Sequence, residues 1–111
     1  MPLPKMTEEQ KARGLEAAKR ARRVRAQLRE DFREGRITIE QVFEKAESDP
    51  IVKKTRVDYL LKAVPGYGDA RVKNLMEQLR IDPARRVGGL GSQQREKLIT
   101  VIDDARFPKA E

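Results

Sequence analysis

The sequence predicts an all-α protein: a long basic N-terminal helix, then a compact domain of about four helices. Three observations point there. Apolar residues recur at spacings of three and four in every long segment, and no run alternates for long enough to make a strand. Two Thr-x-x-Gln capping boxes, Thr7 with Gln10 and Thr38 with Gln41, stand at the heads of such segments. Aromatic residues are only 5% of the chain and Trp is absent. That disfavours a large sheet sandwich and favours small helices packed through Leu, Ile and Val.

Residues 1–6 hold Pro2 and Pro4 and read as a loose lead. The first helix runs from Thr7 to about Glu34, with Gly35 as its stop. Its apolar stripe is Leu15, Ala18, Ala21, Val24, Leu28 and Phe32. Alanine buries little area, so only the later half of the stripe should anchor to a core, and the earlier half should project. Thr38 opens "IEQVFEKAE". Ser48, Asp49 and Pro50 interrupt it, and Pro50 suits the first position of a short turn, "PIVKK". Thr55 is expected to cap "RVDYLLKA", whose apolar face is Val57, Leu60, Leu61 and Val64, and Pro65 ends it. Gly68 or Asp69 opens "ARVKNLMEQLRI", with Val72, Leu75, Met76 and Leu79 inward; the Asp69 carboxylate suits the positive end of the helix dipole. Asp82-Pro83 closes that helix. "ARRVGGLG" is a glycine-bearing turn, after which Ser92 is expected to cap "QQREKLITVIDDA", with Leu98, Ile99 and Ile102 inward.

The chain is 111 residues long, which fits one domain, and nearly equal shares of charged (39%) and hydrophobic (38%) residues allow only a small core. With no Cys and no His, disulfides, thiol chemistry, structural zinc and the commonest general base drop out. No catalytic residue, metal, cofactor or small-molecule substrate is expected. No run approaches a membrane span, and "MPLPKMTEEQ" lacks the apolar heart of a signal peptide, so the cytosol is the expected compartment.

The formal charge is +7, and its distribution is uneven. Lys11, Arg13, Lys19, Arg20, Arg22, Arg23, Arg25 and Arg29 lie in one segment with a single acid, Glu16. That segment alone carries +7, and the rest of the chain sums to zero. A charge run is ordinarily a solvated helix face, but such a face needs acids one turn away, and Glu16 is the only one within the segment. A polyanion is the better partner, and nucleic acid the best match. The other reading is an adaptor gripping an acidic protein, whose binding would survive without nucleic acid.

Two segments share one layout of helix, glycine turn and helix: "LLKAVPGYGDARVKNL" and "LRIDPARRVGGLGSQQREKL". Glycine admits another molecule to the backbone because no Cβ stands in the way. The first turn of a helix offers free amides at the positive end of its dipole, where a phosphate fits. Arg71 and Lys73 lie within a turn of the first; Arg85, Arg86 and Arg95 flank the second. One such turn is ordinary turn chemistry; two in one basic protein point to phosphate contacts. No P-loop pattern occurs, and a dinucleotide fingerprint fails for want of a strand.

Leu60 to Ile99 resembles the helix-two-turns-helix module found in ribosomal proteins of the uS13 type and in formamidopyrimidine-DNA glycosylases. With "LPKMTEEQKARGLEAAKRARRVRAQLRE" and "KAESDPIVKKTRV" included, the whole chain resembles the actinobacterial integration host factor family. The resemblance implies a monomeric, nucleoid-associated protein that binds and bends double-stranded DNA with little regard for sequence, several copies to a duplex. The implied organisation is a flexible N-terminus and basic arm over residues 1–36 and a helical core over 37–111, with the module at about 56–104. The expected DNA face comprises Lys19, Arg20, Arg22 and Arg23 on the arm. To these the first turn adds Pro65, Gly66, Tyr67, Gly68, Arg71 and Lys73, and the second adds Arg85, Arg86, Gly89, Gly91, Ser92, Gln93 and Arg95. Tyr67 and Pro65 at a turn tip suit either a wedge against the duplex or packing on their own turn. Relatives can carry a basic residue where this chain has Gly88. The glycosylases use an N-terminal proline as nucleophile, but the resemblance does not extend to their base-holding domain or cysteine zinc finger, so Pro2 is not read as catalytic. RNA binding is the alternative, since ribosomal relatives put this module on RNA and phosphate contacts do not distinguish the two.

Overall fold

The computed structural model describes residues 7–107. The loose lead over residues 1–6, the Pro2 amine and the tail after Phe107 lie outside them. Helix α1 spans Glu8–Arg33, α2 Ile39–Ser48, α3 Pro50–Lys53, α4 Val57–Leu61, α5 Asp69–Gln78 and α6 Ser92–Leu98. A 3-10 turn covers Val87–Gly89, and α6 runs on through a π segment, Ile99–Asp103, into a last turn, Asp104–Arg106. Among the described residues the only β pairing is one isolated antiparallel bridge, Arg56 with Arg86.

Both capping boxes form. Thr7 Oγ1 accepts from the Gln10 amide at 3.1 Å and Gln10 Oε1 from the Thr7 amide at 3.0 Å. Thr38 and Gln41 do the same at 3.1 and 2.8 Å. Thr55 does not cap α4. Its hydroxyl donates back to the Ile51 carbonyl at 2.8 Å, and the residue is buried; Arg56 holds the cap position without a side-chain bond. The Ile51 carbonyl, one turn back in α3, competes for the same hydroxyl, and burial decides in its favour.

Helix α5 ends at Gln78, before the expected Asp82-Pro83. Arg80 adopts φ +57°, with its amide donating to Glu77 O at 3.1 Å and the Ile81 amide to Met76 O at 2.8 Å. This is a Schellman stop with arginine in the left-handed position that glycine usually takes. Nothing in the residue type announces it. Gln94 Nε2 donates to the Arg80 carbonyl at 2.8 Å, so the reversal is tied to α6.

The core joins Leu28 and Phe32 of α1 to Ile39, Val42 and Phe43 of α2, Leu60 and Leu61 of α4, Val72 and Met76 of α5, and Leu98 and Ile102. Burial of each large apolar side chain stabilises the fold by about 1.5–3 kcal/mol relative to exposure. From Thr7 to Arg20 every residue is exposed, including Leu15 at 61%. The projecting part of α1 is therefore its first half, while Leu28 and Phe32 tie its second half to the rest. The 62 × 28 × 25 Å extents reflect that projection.

Candidate nucleic-acid interface

The first turn is built by two glycines with different tasks. The Tyr67 amide donates to the Val64 carbonyl at 3.0 Å, and Gly66 between them has φ +86°. Val64-Pro65-Gly66-Tyr67 is thus a type II turn, with Pro fixing the second position and Gly supplying positive φ at the third. Gly68 has φ −78° and ψ 177° and forms the N-cap of α5. A Cβ on Gly68 would meet nothing within 4 Å. Neither backbone strain nor internal crowding calls for glycine at 68. The amides of Asp69, Ala70 and Arg71 open α5 without acceptors in the helix and point to where an anion would stand.

Arg29 and Arg33 of α1 and Lys62 line an open recess of about 460 Å³ with residues 63–68. Lys62 Nζ lies 3.7 Å from Asp69 Oδ1, an 89% exposed side chain, so the lysine offsets the one carboxylate beside the helix start. Arg29 donates through Nε to the Tyr59 carbonyl at 3.1 Å, and its guanidinium carbon lies 5.0 Å from the Tyr59 ring centroid. The tip does not present Tyr67 as a wedge. Its ring is half-buried and packs on the core, and the Arg71 guanidinium lies over it at 4.1 Å. Pro65 and Lys73 are exposed.

The second turn is pinned to the corner between α3 and α4. The Val57 amide donates to Arg85 O at 3.1 Å and the Val87 amide to Thr55 O at 2.8 Å. Asp82 Oδ1 accepts from the Ala84 amide at 2.8 Å, starting the turn. The backbone here is less bare than its glycines suggest. The Gly89 amide donates to Arg86 O at 2.9 Å and the Gly91 amide to Gln94 Oε1 at 3.0 Å. Gly91, not Ser92, is the N-cap of α6. The amides left for an external anion are those of Ser92, Gln93 and Gln94, at the first helical positions. Arg85 and Arg86 are exposed. Arg95 is half-buried and lines a small cleft with Phe43, Glu47, Lys53 and Gly88.

On α1, Lys11 pairs with Glu8 at 3.8 Å, Arg13 with Glu9 and Lys19 with Glu16 at 4.0 Å. Glu8 and Glu9 lie just outside the basic segment and neutralise its start. No such pair is made by Arg20, Arg22, Arg23 or Arg25 among the described residues. Arg25 also lines a recess of about 320 Å³ with Lys54, Arg56, Tyr59 and Arg86. The second half of α1 thus shares recesses with both turn regions: Arg29 and Arg33 with the first, Arg25 with Arg86 of the second. Arg25 and Arg29 belong to the basic segment that the sequence already pointed at a polyanion, whereas Arg33, Lys54 and Lys62 were outside the face expected from sequence. Arginines spaced by four from Arg25 to Arg33 are the one signal that could have found part of this set.

Comparison with known proteins agrees in fold and sequence. Residues 32–102 match the S13-like H2TH domain family. The chain is 40% identical over 105 residues to the integration host factor of Mycolicibacterium smegmatis, covering 95% of this chain and 100% of that protein. It is 42% identical over 105 residues, with the same coverage, to the integration host factor of Mycobacterium tuberculosis. A solved structure of sIHF bound to an 8bp palindromic DNA superposes with a TM-score of 0.75 at 34% identity, covering 78% of this chain and 98% of that one. With a helix-two-turns-helix core, a basic first helix and likeness over nearly its full length, the chain belongs to the integration host factor family.

Proposed function

We propose that this protein is a nucleoid-associated, monomeric binder of double-stranded DNA that grips the phosphate backbone and bends the duplex. The observation that carries the reading is that α1 arginines without an ion pair among the described residues line recesses with both turn regions: Arg29 and Arg33 with residues 66–68, Arg25 with Arg86. A cation row flanked by open helix-start amides offers a duplex several phosphate contacts along one path. The likeness to sIHF, which was solved with DNA, supports DNA as the polyanion. Arginine and lysine side chains aimed at phosphates carry no base code, so selectivity would rest on the shape and deformability of the duplex.

Gel shifts with duplex DNA and duplex RNA of matched length test the reading. Tighter binding to DNA, similar across unrelated sequences, is the expected result. Preference for the RNA duplex would move the protein to the ribosomal side of the fold family, and a strong preference for one DNA sequence would defeat the backbone grip. Bending is read separately, as closer approach of dyes placed at the two ends of a bound duplex.

A further inference from the structure

The second turn carries two adjacent glycines, Gly88 and Gly89, and neither has the positive φ that would require glycine. Each is instead crossed by a cationic stem. A Cβ on Gly88 would stand 2.3 Å from Lys53 Cγ, 3.0 Å from Cε and 3.2 Å from Cδ. A Cβ on Gly89 would stand 2.9 Å from Arg85 Cδ. Real Cβ atoms do not approach carbon so closely, so no side chain fits at 88 while Lys53 keeps this path. Lys53 is exposed and ends the short α3; the bare backbone of Gly88 is what lets its methylenes lie flat against the turn.

The route leads somewhere. Lys53, Lys54, Arg85 and Arg86 line a cleft of about 810 Å³ between the end of α2 and the second turn. None of the four is in an ion pair among the described residues. Two acids, Glu47 and Asp82, also line it, and one Asp82 oxygen is taken by the Ala84 amide. Four unpaired cations around one cleft repel each other, and an anion relieves that repulsion.

We infer that Lys53 is a phosphate ligand of the second turn, delivered from α3 across Gly88, and that Gly88 is a positioning residue for it. The inference rests on the duplex-binding reading above and adds to it a contact from outside the turn's own sequence. A lysine held along its stem loses less rotamer freedom on binding than one waving in solvent. The cleft would seat a backbone phosphate between Lys53 and the two arginines.

Anisotropy titrations of a labelled mixed-sequence duplex with the full chain, at several salt concentrations, test this with four variants: Lys53→Gln, Gly88→Ala, their combination, and Arg86→Gln as reference. Lys53→Gln is expected to bind about three- to tenfold more weakly, with a salt slope shallower by about one unit. Gly88→Ala expels the lysine stem and should weaken binding in the same way with melting little changed. The combination should bind no more weakly than Lys53→Gln alone, because the alanine then has nothing left to displace. Wild-type affinity and slope in Lys53→Gln beside a weakened Arg86→Gln would overturn the inference and leave the duplex reading standing. Wild-type binding by both would remove the second turn from the interface altogether. A further loss on adding Gly88→Ala to Lys53→Gln would mean that Gly88 serves a backbone contact of its own, which also overturns the assignment. If Gly88→Ala does not fold, Lys53→Gln against Arg86→Gln decides.

Discussion

Gly66 turns the chain at φ +86°, while two residues on Gly68 sits at φ −78° with open space where a Cβ would stand. The two alanine variants should therefore part company. Gly66→Ala strains a left-handed position and should cost about 1 kcal/mol or more of stability. Gly68→Ala loses only the preference for glycine over alanine at an N-cap, at most about 1 kcal/mol. It sets a methyl where a phosphate oxygen would approach, so it should lose about 1–2 kcal/mol of DNA affinity, about five- to thirtyfold, on every duplex. Its salt slope should stay unchanged, because an amide releases no counterion. Lys73→Ala should instead make the slope shallower by about one unit. Melting and titration on the same samples separate these outcomes; normal binding by folded Gly68→Ala would show that glycine there serves the turn only. The pair of glycines was legible in the sequence, but which one needed glycine for its own backbone was not, since φ depends on where Pro65 starts the turn.

At the scale of elements, α1 carries the exposed cations and the segment after α6 carries a contact that spans the chain. Lys19, Arg20, Arg22 and Arg23 are all exposed, so replacing the four by Gln should leave melting unchanged. DNA affinity should fall at least about tenfold at moderate salt, since several phosphate contacts go with them. Equal affinity would make this stretch a solvated face. Asp103, buried in the π segment, accepts from the Ile39 amide at 2.8 Å and the Glu40 amide at 3.2 Å. It caps α2 from 64 residues away. Asp103→Ala leaves a buried donor unpaired and should cost about 1–3 kcal/mol in denaturant titration, with DNA affinity of the folded protein intact. An unchanged denaturation midpoint would show that water replaces the carboxylate. On α1, hydrogen bonds from Arg36 and Gln27 hold the Asp31 carboxyl below its usual range. A pKa lowered by folding contributes stability that is present above the unfolded value and is lost as pH falls through the folded one. Asp31→Asn should therefore flatten part of the acid limb of a melting-against-pH curve, and an identical limb in both proteins would count against that account.

For the whole molecule, the prediction is a salt slope. If about five to eight phosphates are neutralised, log affinity should fall against log salt with a slope of about −4 to −7, alike on two unrelated duplexes. A flat dependence, or a large preference for one sequence, would sink the backbone grip. The sequence by itself determined the helices and their faces, because spacing of three and four, Thr-x-x-Gln boxes and Pro50 act within a few residues of chain. It also determined that the net charge belongs to the first helix, and the family resemblance was carried by residues read along the chain. Only the tertiary structure decided what meets what. Thr55 went to Ile51 O instead of capping α4, Arg80 took a glycine's conformation because Gln94 and the core hold the reversal, and Tyr67 folded under Arg71. Arg25, Arg29 and Arg33 became neighbours of two different turns, and Lys53 came to lie on Gly88, from 35 positions back in the sequence. Such contacts join groups far apart in the chain, and their geometry is fixed by burial of the common core, which no local pattern encodes.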